Sequence, residues 1–418
     1  MGVTRRKLLK GVGTLCVVGP GGALVPAAAL ADAADAKATG ATSLADKAHF
    51  AIKGVYLDAA FTHPMGLAAH RAYSRFLQSR MTQSPRIGPG FNPRDEAVER
   101  FAHLITADAT SIAVVPSTME GENLIGASLG LGKYAGVVTD SFHYSPSLII
   151  YGELAKRGMP LSVIAPRRGV IERADIEDAI GADTRLIAVS LISAETGFQH
   201  DLNALCAMAH RRGVLVYADI IQAAGAVPID VTASGVDFCC CGSYKWLMGD
   251  FGAAFLYVRP DRLASLDRVQ VGWRQIRRQE THGLPFDPPG PALGEWTLGS
   301  DTAGKFEVST PAWGSLACTA RALADISSLG VEAIVRHRVP LIERLQSELP
   351  KHGFLPMTPR DSTGPVVAFA YPGAARRFDA ALRSADITIS TYENRIRISP
   401  SIYNDMEDIE KLLRVLSM

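Results

Sequence analysis

The sequence predicts an α/β fold: a mostly parallel sheet covered by helices on both faces, followed by a smaller α+β domain. Three observations predict it. Seven short runs of apolar and β-branched residues occur at 112–115, 136–139, 161–165, 185–191, 214–218, 238–241 and 253–258. These runs are apolar throughout instead of alternating, as strands buried on both faces are. Stretches of helix length lie between most of them, such as 201–212, which puts Leu202, Leu205, Cys206 and Ala209 on one face. Strands that alternate with helices build a sheet with helical layers on each side.

The start of the chain has a different character. Arg5-Arg6 stands in Thr4-Arg-Arg-Lys-Leu-Leu-Lys10, and a Gly/Ala-rich apolar run follows from Gly11 to Leu30. Ala29-Leu30-Ala31 is a small-x-small cleavage pattern. The segment, residues 1–31, resembles a twin-arginine export signal, which is an address and not part of the fold. Gly19, Pro20, Gly21, Gly22 and Pro26 suit a spanning helix poorly, so no stable membrane anchor is expected. The expected location is periplasmic or secreted. A flexible leader is expected over 32–49, a large domain over 50–312 and a small one over 313–418. The small domain reads as helices at 316–329 and 331–349, strands near 366–370 and 395–399, and a closing helix at 406–416. Pro288-Pro289-Gly290-Pro291 marks an exposed loop.

Composition excludes several classes. The 43 basic residues balance 42 acidic ones, so nothing points to nucleic acid or an anionic membrane. After the export segment the cysteines are Cys206, Cys239, Cys240, Cys241 and Cys318. They form neither a disulfide framework nor a metal-binding spacing, and they read as small core residues.

The chemistry begins at Lys245. It sits on a short polar island, Gly242-Ser-Tyr-Lys-Trp246, between two runs that read as buried strands. Burial disfavours the ammonium form, and a neutral amine is a nucleophile that forms imines with carbonyls. Asp219 ends the run 214–218, and Gln222 and Gly225 follow it. Ligands bind at strand C-termini in open α/β sheets, and a carboxylate there can keep a ring nitrogen protonated. Pro116-Ser-Thr-Met-Glu-Gly-Glu-Asn123 follows the run 112–115 and opens a helix, so Ser117 and Thr118 sit where free N–H groups favour an anion. His143 follows the run 136–139 and offers a ring for stacking. Arg395 and Arg397 share a strand face, where arginine can grip a carboxylate. Lysine and aspartate in these positions are what pyridoxal phosphate needs.

Seven stretches, in order over the mature chain, carry a resemblance. They are Tyr56-Leu-Asp-Ala-Ala60, Ser117-Thr-Met-Glu-Gly121, His143, Asp219-x-x-Gln222-x-x-Gly225, Ser243-Tyr-Lys245, the run from Phe306 to Trp313, and the run from Arg397 to Asn404. The chain resembles the class V, fold-type I pyridoxal-phosphate enzymes, in the branch of isopenicillin N epimerase. That resemblance implies a covalent link from Lys245 to the cofactor and a role for its amine in moving the Cα proton. It implies that Asp219 meets the pyridine nitrogen, Gln222 the phenolic oxygen or imine, and His143 the ring face. Ser243, Tyr244, Ser117 and Thr118 are implied at the phosphate, with Thr310 reaching it from the other subunit of a homodimer. Arg397 is implied at the substrate carboxylate.

The departures are informative. Met119 stands where many relatives carry a phosphate-binding threonine, and Ser193 or Ala194 stands where the family often has an asparagine. No cysteine follows Cys318, so the loop nucleophile of a cysteine desulfurase is missing. The expected substrate is a small-molecule amine, an amino acid or an amino-acid-derived product. Transamination is expected ahead of epimerisation and C–S lysis. A catalytically silent binding protein is the rival of another class. A dinucleotide-binding enzyme is a further rival, but the glycine-rich fingerprint it needs is missing.

Overall fold

The computed structural model of the protein describes residues 44–82 and 92–417. The export segment and most of the expected leader lie outside these residues. All seven expected strands form, each within one residue of its expected ends: β2 (Ile112–Val115), β3 (Gly136–Asp140), β4 (Leu161–Ile164), β5 (Thr184–Ser190), β6 (Leu215–Asp219), β7 (Phe238–Gly242) and β8 (Ala254–Val258). A two-residue strand, β1 (Val55–Tyr56), precedes them. The seven make one sheet in the order β2-β8-β7-β6-β5-β3-β4. Only β8 runs against the others, paired antiparallel to both β2 and β7.

Apolar residues fill both faces of every central strand, so each strand feeds two cores. In β6, Val216 and Ala218 enter one core while Leu215 and Tyr217 enter the other. The consecutive cysteines of β7 alternate likewise, with Cys239 and Cys241 on one face and Cys240 on the other. All five described cysteines are buried and unpaired. Burial pushes the thiols of Cys206 and Cys318 up to about 12, which leaves them inert apolar filler.

The helices that matter for the site are α1 (Leu67–Thr82), α2 (Pro93–Leu104), α3 (Thr118–Ser128), α4 (Ser145–Ala155), α5 (Leu202–Arg211), α6 (Trp313–Leu329) and α7 (Val331–Glu348). Capping sets their starts: Ser117 accepts from the Glu120 N–H and Asp201 from the Ala204 N–H. Helix α6 opens the expected small domain in sequence, yet Leu316, Leu323 and Ile326 pack into the large core. A helix is assigned by what its apolar stripe covers, and this stripe covers α1, α2 and the sheet. The chain crosses to the second core along α7, where Ile334 belongs to the large core and Leu341 and Leu345 to the small one.

The small sheet is formed by β9 (Leu355–Pro356), β10 (Val367–Ala370), β11 (Ser390–Tyr392) and β12 (Arg395–Ile398), in the order β9-β10-β12-β11. The N-terminal segment joins this layer. β1 pairs in parallel with the strand Ile387–Thr388, and Asp58 bridges to Ser399. The leader expected to run to His49 is shorter where it is described: Lys47 bonds Asp405 and Asp408 at 3.2 and 2.7 Å, and the Ala45 N–H bonds the Ile402 carbonyl. Two carboxylates on the closing helix hold that lysine. Among the described residues no helix is long and apolar enough to cross a membrane.

Candidate active site

Four strand ends converge on one crevice. β3 delivers Asp140, β5 Ser190, β6 Asp219, and the turn after β7 delivers Lys245. The small sheet closes the opposite side with Arg397 of β12.

Lys245 is 8% exposed. Its Nζ lies 6.0 Å from the ring centre of Tyr144 and 5.8 Å from that of Tyr244. No carboxylate or carbonyl among the described residues bonds it. Burial lowers its pKa to about 8, only partly opposed by Asp219, while Arg397 lowers it further. The polar island therefore presents an amine that is neutral in part near pH 8. The turn itself is braced elsewhere. Ser243, expected at the phosphate, is withheld from it: its hydroxyl donates to the carbonyls of Asp250 and Ala253, the latter at 2.9 Å, and its N–H bonds Ala253. A serine has one proton to give, and the turn takes it. Tyr244 stacks on Phe251 with centroids 4.7 Å apart, and burial raises its phenol to about 12.

Asp219 is 3% exposed. Oδ1 accepts from the Ile221 N–H at 2.9 Å, and no donor among the described residues reaches Oδ2. Burial raises its pKa to about 6; the Ile221 hydrogen bond and the neighbouring His143 and Lys245 oppose that rise. Gln222 is buried beside it, but its amide is engaged: Nε2 donates to the Ala60 carbonyl at 3.0 Å and Oε1 accepts from Trp246 Nε1 at 2.8 Å. It clamps the residue after Lys245 to the N-terminal segment and keeps one N–H for other use. Gly225 turns the chain at φ +85°, and a Cβ there would lie 2.4 Å from the Trp246 carbonyl.

Ser117 caps α3 by accepting from the Glu120 N–H, and the remaining first-turn N–H groups are open to an anion. Thr118 is buried, and its Oγ1 accepts from the Gly242 N–H at 2.9 Å, tying the helix start to the end of β7. Its hydroxyl proton stays available to an anion. His143 is held at both nitrogens, Nδ1 by Ser190 Oγ and Nε2 by Glu122 Oε1, each at 2.9 Å. Thr310 is exposed.

Arg397 is 5% exposed and enters from the small sheet. It donates to the Ala194 carbonyl at 2.9 Å, to Asp58 at 3.2 Å and to Ser390 Oγ at 2.9 Å. The backbone carbonyl of Ala194, next to Ser193, thus holds this arginine. Arg395, two residues back on the same face, pairs with Glu195 and covers the Tyr392 ring at 4.1 Å.

Several neighbours of these groups carry no role that the sequence alone assigns. Asp58 neutralises Arg397, and burial still raises its pKa despite that guanidinium. Glu122 holds His143, and Ser190 holds the other edge of the ring. His63 is fully buried; its Nδ1 meets the Pro64 carbonyl and its Nε2 the Ser401 hydroxyl, both at 2.7 Å. Its N–H bonds the Tyr244 carbonyl at 3.1 Å, so it fixes the lysine turn from outside.

Burial lowers His63 to about 4, against an ordinary value of 6.5. A depressed histidine stabilises the fold above its unfolded value and loses that contribution as pH falls. Between pH 6.5 and 4 the wild type should lose about 3 kcal/mol relative to a His63→Gln variant. Urea unfolding of both proteins across that range measures the gap, and parallel curves would refute it.

A buried, acceptor-free lysine facing a carboxylate with a free oxygen, beside a helix N-terminus, fits the aldehyde, ring nitrogen and phosphate of pyridoxal phosphate. On a mostly parallel sheet with a smaller appended domain, these groups define a fold-type I pyridoxal-phosphate enzyme. The chain belongs to the class-V aminotransferase family, whose model matches residues 93–412. A probable cysteine desulfurase of Methanothermobacter thermautotrophicus is 26% identical over 70% of this chain and 72% of its own length. Isopenicillin N epimerase of Streptomyces clavuligerus is 25% identical over 77% of this chain and 83% of its own length. The uncharacterized aminotransferase YcbU of Bacillus subtilis is 26% identical over 81% and 87%. Among solved structures, the apo cysteine desulfurase of Thermococcus onnurineus superposes with a TM-score of 0.75 at 21% identity, covering 87% of this chain and 94% of its own. The cystine C–S lyase C-DES, in complex with its product cysteine persulfide, gives 0.74 at 21%, covering 87% and 97%. The likeness to these two structures is one of fold. The protein is a pyridoxal-phosphate-dependent enzyme, and the silent-binder alternative falls with that.

The amine state of Lys245 makes a kinetic prediction. Only the neutral amine attacks an aldehyde, so cofactor uptake by the stripped protein should accelerate as pH rises through about 8. Stopped-flow absorbance after mixing with pyridoxal phosphate measures it, and a rate flat from pH 6.5 to 9.5 would contradict a buried, unpaired amine.

Proposed function

We propose that the protein is an exported enzyme that removes the Cα proton of an amino acid or amino-acid-derived metabolite and carries it on to transamination. The observation that supports this most is the alignment of Lys245, Asp219 and Arg397 around one crevice in which no cysteine side chain is exposed. Pyridoxal phosphate, when bound, supplies the electron sink that makes the Cα proton acidic. Lys245 holds and moves the proton at its Nζ. Asp219 keeps a negative oxygen at the ring nitrogen, and Thr118 with the start of α3 receives the phosphate. Arg397 orients the substrate carboxylate, and its pairing with Asp58 keeps it extended towards the crevice before substrate arrives. Tyr144 and Tyr244 keep water from the amine.

Persulfide chemistry of the desulfurase type is disfavoured by the inert, buried cysteines. Epimerisation is the second reading, favoured by the similarity to isopenicillin N epimerase, and C–S lysis the third. Thr310 serves the phosphate of a neighbouring subunit in a homodimer. The Arg5-Arg6 segment sends the folded enzyme to the periplasm or medium by the twin-arginine route.

Products separate the chemistries. Amino acids are supplied one at a time with a keto-acid acceptor, and products are read by chiral chromatography and mass. Transamination gives the matching keto acid with nitrogen moved to the acceptor. An inverted substrate of unchanged mass means epimerisation, and a keto acid with free ammonia means elimination. Fractionation of the source cells with N-terminal sequencing tests export, which fails if the protein stays cytoplasmic with its first 31 residues uncut.

A further inference from the structure

Helix α3 carries a carboxylate on the face it buries. Glu122 is 2% exposed, and no lysine or arginine pairs with it among the described residues. Three other groups surround it. Oε1 lies 2.9 Å from His143 Nε2 and accepts from the Tyr151 phenol at 2.6 Å, while Oε2 accepts from Ser147 at 2.5 Å. A buried carboxylate is tolerated when its lone pairs are filled and a cation balances it. The imidazole of His143 is the one group in direct contact that can become that cation.

The far edge of the ring is held as well. Ser190 Oγ lies 2.9 Å from Nδ1 and accepts from the Tyr144 N–H at 3.1 Å. With both nitrogens fixed, the imidazole plane cannot swing towards a substrate. The charged and titratable groups facing it come from four strands and helices: Glu122 of α3, Asp140 at the end of β3, Asp219 at the end of β6 and the Tyr151 phenol of α4. Asp140 is itself paired with His200 at 3.0 Å.

We propose that Glu122 is a positioning residue for His143, locking a proton on Nε2 and making the imidazole a fixed, positively charged plate against the cofactor ring. This rests on the reading of the site given above. His143 then holds the ring in place, and Lys245 is left to move the Cα proton. Burial opposes charge on His143, but the Glu122 carboxylate outweighs it and raises the proton affinity of the ring above its ordinary value.

The test is NMR of the holoenzyme with histidine labelled by ¹⁵N and by ¹³C at Cε1, the His143 signal being assigned by its absence from a His143→Gln sample. The expected wild-type result is Nε2 protonated throughout and a midpoint above the ordinary histidine value of about 6.5. Glu122→Gln, which still accepts the Nε2–H, should lower the midpoint by at least about one unit, tenfold in proton affinity. The pH profile of cofactor absorbance should move the same way, with kcat reduced and KM little changed. A wild-type ring with its neutral proton on Nδ1 overturns the proposal without any variant. An unchanged midpoint in Glu122→Gln overturns it too. If the variant does not fold, the wild-type tautomer and midpoint decide. Loss of the cofactor band in the wild type would instead remove the reading of the site, and the histidine signal would still report on Glu122.

Discussion

Lys245→Ala should retain the fold and lose both the covalent hold on the cofactor and at least about a thousandfold of turnover. General acid–base transfer alone is worth about 10² to 10⁴ in rate, and here the same amine also anchors the cofactor. The truncation is tolerable structurally because nothing leans on the amine: no hydrogen bond to Nζ exists among the described residues, and the turn is held by Ser243, by the Gln222–Trp246 clamp and by the His63 N–H. Removing a buried, unbalanced amine costs the fold little. The measurements are the absorbance of the reconstituted variant, its melting temperature, and exchange of the substrate Cα proton with deuterated water. Turnover within tenfold of wild type would take Lys245 out of the chemistry. A variant that melts far below wild type would mean that the lysine also supports the turn.

Strands and their ends were readable because burial on both faces leaves so plain a mark. Cys239, Cys240 and Cys241 read as a strand lying between two cores, and Asp219 as the end of a neighbouring one. Lys245 was readable by contrast, as a charge between apolar runs. What escaped reading were partners. Glu122 and Asp58 lie inside stretches that the sequence marks, yet nothing in a linear sequence says that Glu122 meets His143, 21 positions on, or that Asp58 meets Arg397, 339 positions on. Ser243 shows the opposite failure. Its neighbourhood suited a phosphate, but its proton was claimed by two carbonyls that only the closed turn brings near. Order along the chain puts helix α6 with the small domain, whereas its apolar stripe follows the larger surface available. Polar pairs such as these are fixed by how elements distant along the chain pack, so they become visible only once the cores are in place.

Asp219→Asn should separate function from stability, with opposite signs. The side chain has the same shape and can still accept the Ile221 N–H, so the strand end should be undisturbed. What changes is charge at the one oxygen that faces the crevice. An amide cannot hold a ring nitrogen in its charged form, and turnover should fall by about 10² or more. Stability of the stripped protein should move the other way. Asp219 titrates near 6 in the folded chain against 3.8 for the ordinary group. A carboxyl with a raised folded pKa favours the native state below its unfolded value and loses that contribution as pH rises through 6. At neutral pH the aspartate therefore destabilises the stripped protein by about 2–3 kcal/mol, and the asparagine does not. Urea melts at pH 5 and pH 7.5 should show the variant gaining on the wild type as pH rises. With cofactor bound the ordering should reverse, since the aspartate then meets a positive ring nitrogen in place of empty space. A variant less stable than wild type in the stripped form at pH 7.5 would mean that the carboxylate is satisfied before the cofactor arrives. A carboxylate left unsatisfied in the empty crevice is a sign of a site shaped for its ligand, because it weakens the fold until the charge it awaits is present.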